Sequence, residues 1–306
     1  MNLHNNTKLF SQIIKDIASN IHLDESIIEK DYYVTLVLKE LIASDYNFIF
    51  KGGTNLSKCF HIINRFSEDI DISYKDNSLL TQGKRKRIKY GLKDICDKYN
   101  LKIINFENTR SRCTYNKYEI DYNQKFTRNS PIKDYVLVEI VFLEESYPII
   151  EVEANSIIGE WLLKYNKLDV IEKYELKPFK LQTHSLARTF VDKIFAICDY
   201  HISGKITGHS RHLYDLYKIK NSIKFDDDFF SLLNKVKNER KKNKKSYSAQ
   251  DNISYINILK DIINKNAYKA DFEENTKQIL YEKVTYEMLI NNLKNIVNIL
   301  SASENN

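Results

Sequence analysis

Two aspartates, Asp69 and Asp71, stand in the stretch Arg65 to Tyr74, RFSEDIDISY. They alternate with Ile70 and Ile72, which is the period of a β-strand with one buried face. Such a strand turns both carboxylates to one side and both isoleucines to the core. Parallel carboxylates repel each other unless a cation lies between them. Hard divalent ions such as Mg²⁺ take oxygen ligands from one or two carboxylates plus substrate phosphates. Upstream, Phe48-Ile49-Phe50 is a short apolar run that ends at Gly52-Gly53. Thr54, read as an N-cap, then opens a segment with Leu56, Cys59, Phe60 and Ile63 at helical spacing, closed by Arg65 and Ser67. A glycine turn entering a helix N-terminus favours an anion and lets a phosphate approach the backbone. Each half alone is the ordinary content of a turn or of a solvated strand edge. Together they offer a phosphate cradle beside a metal clamp, the equipment of phosphoryl or nucleotidyl transfer.

Around this stretch, residues 7 to about 45 read as two helices. Leu9, Ile13, Ile14 and Ile17 form the apolar stripe of the first, and Asp24 or Ser26 caps the second. Within the second, Lys30 and Asp31 read as a surface ion pair. A helix of about 79 to 99 follows the aspartates and opens with the basic run Lys84 to Arg87. Residues 101 to 126 read as short strands, with Arg110 and Arg112 between them and aromatics at Tyr115, Tyr118 and Tyr122. Arginine with aromatics is one way to hold single-stranded nucleic acid, and also the ordinary look of an exposed strand face. Tyr135 to Leu143, YVLVEIVFL, is an apolar strand interrupted by Glu139. A lone carboxylate there is costly unless it faces a metal or a cation. Glu151 and Glu153 lie on the next strand. A boundary falls between Glu160 and Pro178, giving a first domain of 1–175 and a helical domain of 176–306. In the latter, Leu186, Phe190, Ile194 and Ile197 mark one helix, Gly204 and Gly208 a turn, and Leu213, Leu216 and Ile219 the next helix. Arg211 and Asp215 are i, i+4 neighbours and read as an ion pair. The basic run from Lys235 to Lys245 reads as a helix end and loop, either solvated or in contact with phosphate. Helices near 252–267 and 272–300 and a polar tail close the chain.

Composition sets limits. With 306 residues the chain makes one large domain or two modest ones; 42% hydrophobic and 29% charged residues are those of a soluble globular protein. The net charge of +6 permits a nucleic-acid partner without requiring one. The four cysteines are scattered and show neither a disulfide frame nor zinc-ligand spacing. His201, His209 and His212 match no ligand motif. No signal peptide and no apolar run of membrane-spanning length is evident, so a cytoplasmic location without membrane contact is expected.

KGGTNL followed by RFSEDIDISY resembles the head motif of the DNA polymerase β-like nucleotidyltransferase superfamily, and more narrowly the AbiEii/AbiGii abortive-infection toxin family. Gly52, Gly53, Thr54, Arg65, Ser67, Asp69 and Asp71 supply that motif. Lys30 and Asp31 match a Glu-Lys-Asp run of the family. Asp192-Lys193 and then Arg211, Tyr214, Asp215 and Leu216 match its helix pair, with Asp192 where glutamate is usual and His212 where aspartate is expected. The resemblance implies an α+β fold: a nucleotidyltransferase core with a mixed sheet flanked by helices, plus a helical C-terminal domain completing the active-site cleft. It implies a toxin of a toxin–antitoxin or phage-defence system, with a neighbouring antitoxin. The implied reaction moves a nucleotide from an NTP to an acceptor, tRNA 3′ ends being the acceptor class of some members. Asp69, Asp71 and, as third carboxylate, Glu139 would hold two Mg²⁺ ions, with Glu151 and Glu153 as rivals to Glu139. Gly52, Gly53, Thr54, Arg65, Ser67 and Lys193 would bind the nucleotide. Lys193 and Asp215 would join the catalytic set, Asp215 either orienting the lysine or acting on the acceptor hydroxyl. Other readings keep the chemistry with a protein or small-molecule acceptor, or leave a catalytically inactive nucleotide or RNA binder.

Overall fold

The computed structural model describes residues 1–74, 80–127, 133–142 and 147–304. Residue contacts divide the chain into two compact units, one of residues 1–60 and 67–183, the other of residues 61–66 and 184–306.

The first unit begins with α1 (Thr7–Ile21) and α2 (Glu25–Ala43), the latter capped by Asp24, whose side chain accepts from Ser26 N. There follow β1 (Phe48–Lys51), α3 (Gly52–Lys58), β2 (Ile70–Tyr74), α4 (Gln82–Lys98), β3 (Lys102–Ile103), β4 (Tyr115–Asp121), β5 (Tyr135–Val141) and β6 (Ile149–Ala154). Short helices α5 (Ile157–Lys164) and α6 (Leu168–Lys173) lead to β7 (Phe179–His184). The strands form one sheet in the order β3-β4-β5-β2-β1-β7-β6. The sheet is mixed: β2 runs antiparallel to β1 and parallel to β5, and β1 runs parallel to β7. Ile70, Ile72, Val136, Val138 and Ile140 are buried with the apolar residues of α1 and α2. Each such side chain contributes about 1.5–3 kcal/mol. Residue 79, the expected start of α4, and Leu143, the expected end of β5, lie outside the described residues.

The helix after Gly-Gly is shorter than expected. Thr54 is its third residue rather than its cap, because Gly52, with φ of +82°, turns the chain directly from strand into helix. It ends at Lys58, and His61 with φ of +52° interrupts the apolar spacing that continues to Ile63.

In the second unit, α7 (Leu186–Ile202) and α8 (Arg211–Ile219) pack together, joined by a turn in which Gly204 and Gly208 take positive φ. They are followed by α9 (Asp227–Lys241), α10 (Tyr255–Lys265), α11 (Lys269–Glu274) and α12 (Tyr286–Glu304). The expected helix at 272–300 is thus two. Residues 279–281 leave the helical path because their backbone bonds the segment at 64–66: Phe66 N donates to Ile279 O at 3.0 Å and Tyr281 N to Asn64 O at 2.8 Å. No helix of the described residues is long and apolar enough to cross a membrane.

Candidate active site

A row of alternating charge crosses the sheet of the first unit. Lys51 on β1, Asp71 on β2, Glu139 on β5 and Lys117 on β4 are successive register partners. Partners in register place their side chains on one face, so Asp71 and Glu139 stand side by side. The isoleucines that alternate with Asp71 point to the buried side. Glu151 and Glu153 lie instead on edge strand β6, two strands beyond β1, and Glu151 is exposed and paired with Lys180 at 3.0 Å.

Asp69 lies just before β2 and is half-buried. Its Oδ1 is 3.2 Å from Lys133 Nζ. Glu139 Oε1 is 2.7 Å from Lys117 Nζ. Burial first, and then the Glu139 carboxylate, push the Tyr115 phenol above its ordinary value. Sequence reasoning missed Lys117 and Lys133; the cost of Glu139 in an apolar strand was the one signal that a cation lay near it.

Gly52 abuts Asp71. A Cβ at this glycine would lie 2.0 Å from Asp71 Oδ2. No other residue type fits, both for that reason and because of its φ. Thr54 is fully buried, and its hydroxyl lies 3.0 Å from the Ser67 hydroxyl. The Gly-Gly-Thr turn is thereby tied to the segment leading into the acidic strand. Among the described residues no three His, Cys, Asp or Glu side chains are gathered as a ready metal cage. The residue types nevertheless suit a hard cation: Asp69, Asp71 and Glu139 offer only carboxylate oxygens, those of Asp69 and Glu139 balanced here by ammonium groups, with backbone and no side chain at Gly52.

The second unit holds Arg65, Lys193 and Asp215 together. Arg65 grips Asp215 in a fork, Nε to Oδ1 at 2.8 Å and Nη2 to Oδ2 at 2.9 Å, and Lys193 Nζ lies 2.5 Å from Oδ2. All three are buried. Burial opposes the ionised form of Asp215, yet Arg65 and Lys193 hold its pKa well below the usual carboxylate range. Burial first, opposed by Asp215 and assisted by Arg65, brings the Lys193 ammonium below its ordinary value. The expected Arg211–Asp215 helix pair is therefore replaced, because Arg65 and Lys193 occupy both carboxylate oxygens. Arg65 itself is placed on Asp215, and Ser67 on Thr54. Asp192, beside Lys193 in sequence, pairs with Arg188 at 2.9 Å.

Elsewhere the surface expectations divide. Tyr118 and Tyr122 are buried and unavailable for stacking, since they alternate inward on β4 and its continuation, whereas Tyr115 is exposed. Lys30 and Asp31 are not a surface pair: Lys30 bonds Glu68 and Asp31 bonds Lys58. Arg240 is drawn to Asp199 at 3.0 Å and Lys241 to Asp251, while Lys242, Lys244 and Lys245 are exposed. His201 pairs with Asp261, and His209 stacks on Tyr200 with ring centroids 3.4 Å apart.

The Gly-Gly turn thus leads out of β1, the strand beside the acidic strand β2. The chain matches a solved structure of the nucleotidyltransferase toxin MenT4 from Mycobacterium tuberculosis, at 14% identity and a TM-score of 0.50, covering 94% of this chain and 89% of that one. No curated protein matches the sequence significantly. The sequence pattern of the family described as nucleotidyl transferase AbiEii toxin, type IV toxin–antitoxin system, matches residues 37–292. The chain belongs to that family.

Proposed function

We propose that this toxin transfers a nucleotide from an NTP to an RNA acceptor such as a tRNA 3′ end. An acceptor hydroxyl oxygen forms a new bond to the α-phosphorus and releases its proton to solvent, the bond from the α-phosphorus to the bridging β-phosphate oxygen breaks, and pyrophosphate leaves. The observation that carries this reading is the in-register pair Asp71–Glu139 on adjacent parallel strands, with the Gly52 backbone against Asp71. Asp69, Asp71 and Glu139 would hold Mg²⁺. Its chemistry is charge neutralisation on the phosphates and polarisation of the reacting centre.

Gly52, Gly53 and Thr54 let phosphate oxygens approach the backbone, and the Thr54–Ser67 contact fixes that turn. Arg65 and Lys193 share one carboxylate, so their cluster retains surplus positive charge suited to an anionic substrate. Asp215 has both oxygens engaged and a depressed pKa, which makes it a poor base and favours the role of orienting Lys193. A cognate antitoxin is the partner that the family implies, and the cytoplasm the site of action.

Incubating the purified protein with each labelled NTP, with and without total RNA, tests this. Label incorporated into RNA, with release of equimolar pyrophosphate, is expected. Label appearing only in protein or in small molecules overturns the RNA acceptor, and no transfer with any NTP overturns the activity.

A further inference from the structure

Lys30, on α2, has no solvent exposure. A buried ammonium carries a large desolvation penalty unless it is well paired, and an apolar side chain at that position would pack without that cost. Lys30 has two partners, the Glu68 carboxylate and the Lys133 carbonyl, the latter at 2.6 Å. Both touch the same neighbour. Glu68 immediately precedes Asp69 in the chain. Lys133 sets its own ammonium 3.2 Å from Asp69 Oδ1. The contacts close a ring that runs from Lys30 through Glu68 to Asp69, across to the Lys133 side chain, and back through the Lys133 carbonyl.

The flanking residues of α2 do different work. Glu29 accepts from the backbone N–H groups of Lys125 and Phe126. Asp31 holds Lys58 and accepts from Ile157 N at 2.7 Å. These tie segments of the first unit to α2, but neither touches Asp69 or a residue bonded to it. Of the three, Lys30 alone is joined both to the backbone that carries Asp69 and to the cation that faces it.

We propose that Lys30 is a positioning residue for the Asp69 carboxylate, fixing at once its chain segment and its charge partner. This rests on the reading of Asp69 as a metal ligand. Groups that orient a ligand from behind typically change metal affinity by about 10–100-fold when removed.

The test is Mn²⁺ binding, followed by electron paramagnetic resonance in the presence of a non-hydrolysable NTP analogue, with melting temperature measured on the same samples. The informative variant is the double substitution Lys30→Met with Glu68→Met. It replaces a buried ion pair by apolar groups, leaves the local net charge unchanged, and is expected to be nearly neutral for stability. Mn²⁺ affinity is expected to fall about tenfold or more. Lys89→Met is the control. Lys89 is also a buried lysine bonded to backbone carbonyls, those of Phe106 and Thr109, and touches nothing at Asp69. It is expected to lower the melting temperature and leave Mn²⁺ affinity as in the wild type.

Wild-type affinity in the double variant, with affinity lost in Asp69→Asn, overturns the positioning role and leaves the metal reading intact. A wild-type protein that binds no Mn²⁺ overturns both. If the double variant does not fold, Lys30→Arg takes its place. It keeps the charge, but its larger planar head group must displace Glu68 or the Lys133 backbone at this fully buried position, so the same loss is expected and wild-type affinity again overturns the role.

Discussion

Arg65 and Asp215 are 150 positions apart in sequence and meet in a buried two-bonded ion pair, with Lys193 on the same carboxylate. The cluster is asymmetric toward substitution. Lys193→Met leaves a neutral Arg65–Asp215 pair, whereas Asp215→Ala leaves two buried cations without an anion. Asp215→Ala should therefore cost about 3–5 kcal/mol in urea unfolding, and Lys193→Met distinctly less. Lys193→Met should nonetheless weaken NTP binding and transfer together. Unchanged NTP affinity per folded molecule in Lys193→Met would confine that lysine to a structural role.

Asp69→Asn and Asp71→Asn should each abolish transfer while keeping the fold. The Asp69–Lys133 pair is partly exposed and contributes no more than about 1 kcal/mol. Relief of repulsion between carboxylates works in the opposite direction. Circular dichroism, melting temperature and label transfer on the same preparations check this. Wild-type transfer by either variant would mean that the metal site lies elsewhere.

Gly52→Ala should damage both fold and activity. The added Cβ meets Asp71 Oδ2 at 2.0 Å and the backbone must hold φ of +82°. A loss of about 1–3 kcal/mol is expected from the backbone alone. Displacement of Asp71 should lower transfer beyond the fraction unfolded, which a comparison of rate with folded fraction reads directly.

Acid should destabilise the protein in a defined window. Burial first, then Lys125, lowers the His4 pKa from 6.5 to about 4. The unfolded chain binds the proton more readily, so the contribution of neutral His4 is complete above pH 6.5 and is lost as pH falls from 6.5 toward 4. The slope is about 1.4 kcal/mol per pH unit for one proton. His209 and His212, also lowered chiefly by burial, act in the same direction. Replacing His4 by Gln, which can still bond Tyr32, should flatten the slope by nearly one proton. An unaltered slope in urea titrations at several pH values would exclude His4 as its source.

If RNA is the acceptor, its binding should weaken steeply with salt. Neutralising exposed Lys244 and Lys245 should reduce the slope of log affinity against log salt by up to about 2. An unchanged slope would make that loop solvated surface only. Arg240 is left out of the set because Asp199 already holds it.

Much of this was legible before the structure. Period-two alternation placed Asp71 on β2 between two inward isoleucines, although Asp69, expected on the same strand face, stands just before the strand begins, and the anomaly of an acid in an apolar strand singled out Glu139, which lies in register with Asp71. Period 3.6 likewise located the helices of Lys193 and Asp215. What stayed hidden was pairing at a distance. Helical spacing pointed Asp215 to Arg211 four residues away, because local rules see only i, i+4 partners; its real partners come from another helix and from residue 65. For the same reason Lys30 and Asp31 looked like solvated charge, although each neutralises a residue far along the chain. Thr54 looked like a cap because a positive φ at Gly52, which starts the helix early, leaves no mark in side-chain periodicity.

The short segment His61–Phe66 belongs with residues 184–306, although the chain on either side of it belongs to the first unit. The second unit is therefore not a portable piece of gene. A fragment cut to begin at His184 would carry Asp215 and Lys193 without Arg65, and would lack the backbone that bonds Ile279 and Tyr281. Restoring it by fragment complementation would need at least a peptide carrying residues 61–66, supplied in trans, and the match between those six residues and the distant helices is what any recombination with another family member would have to preserve.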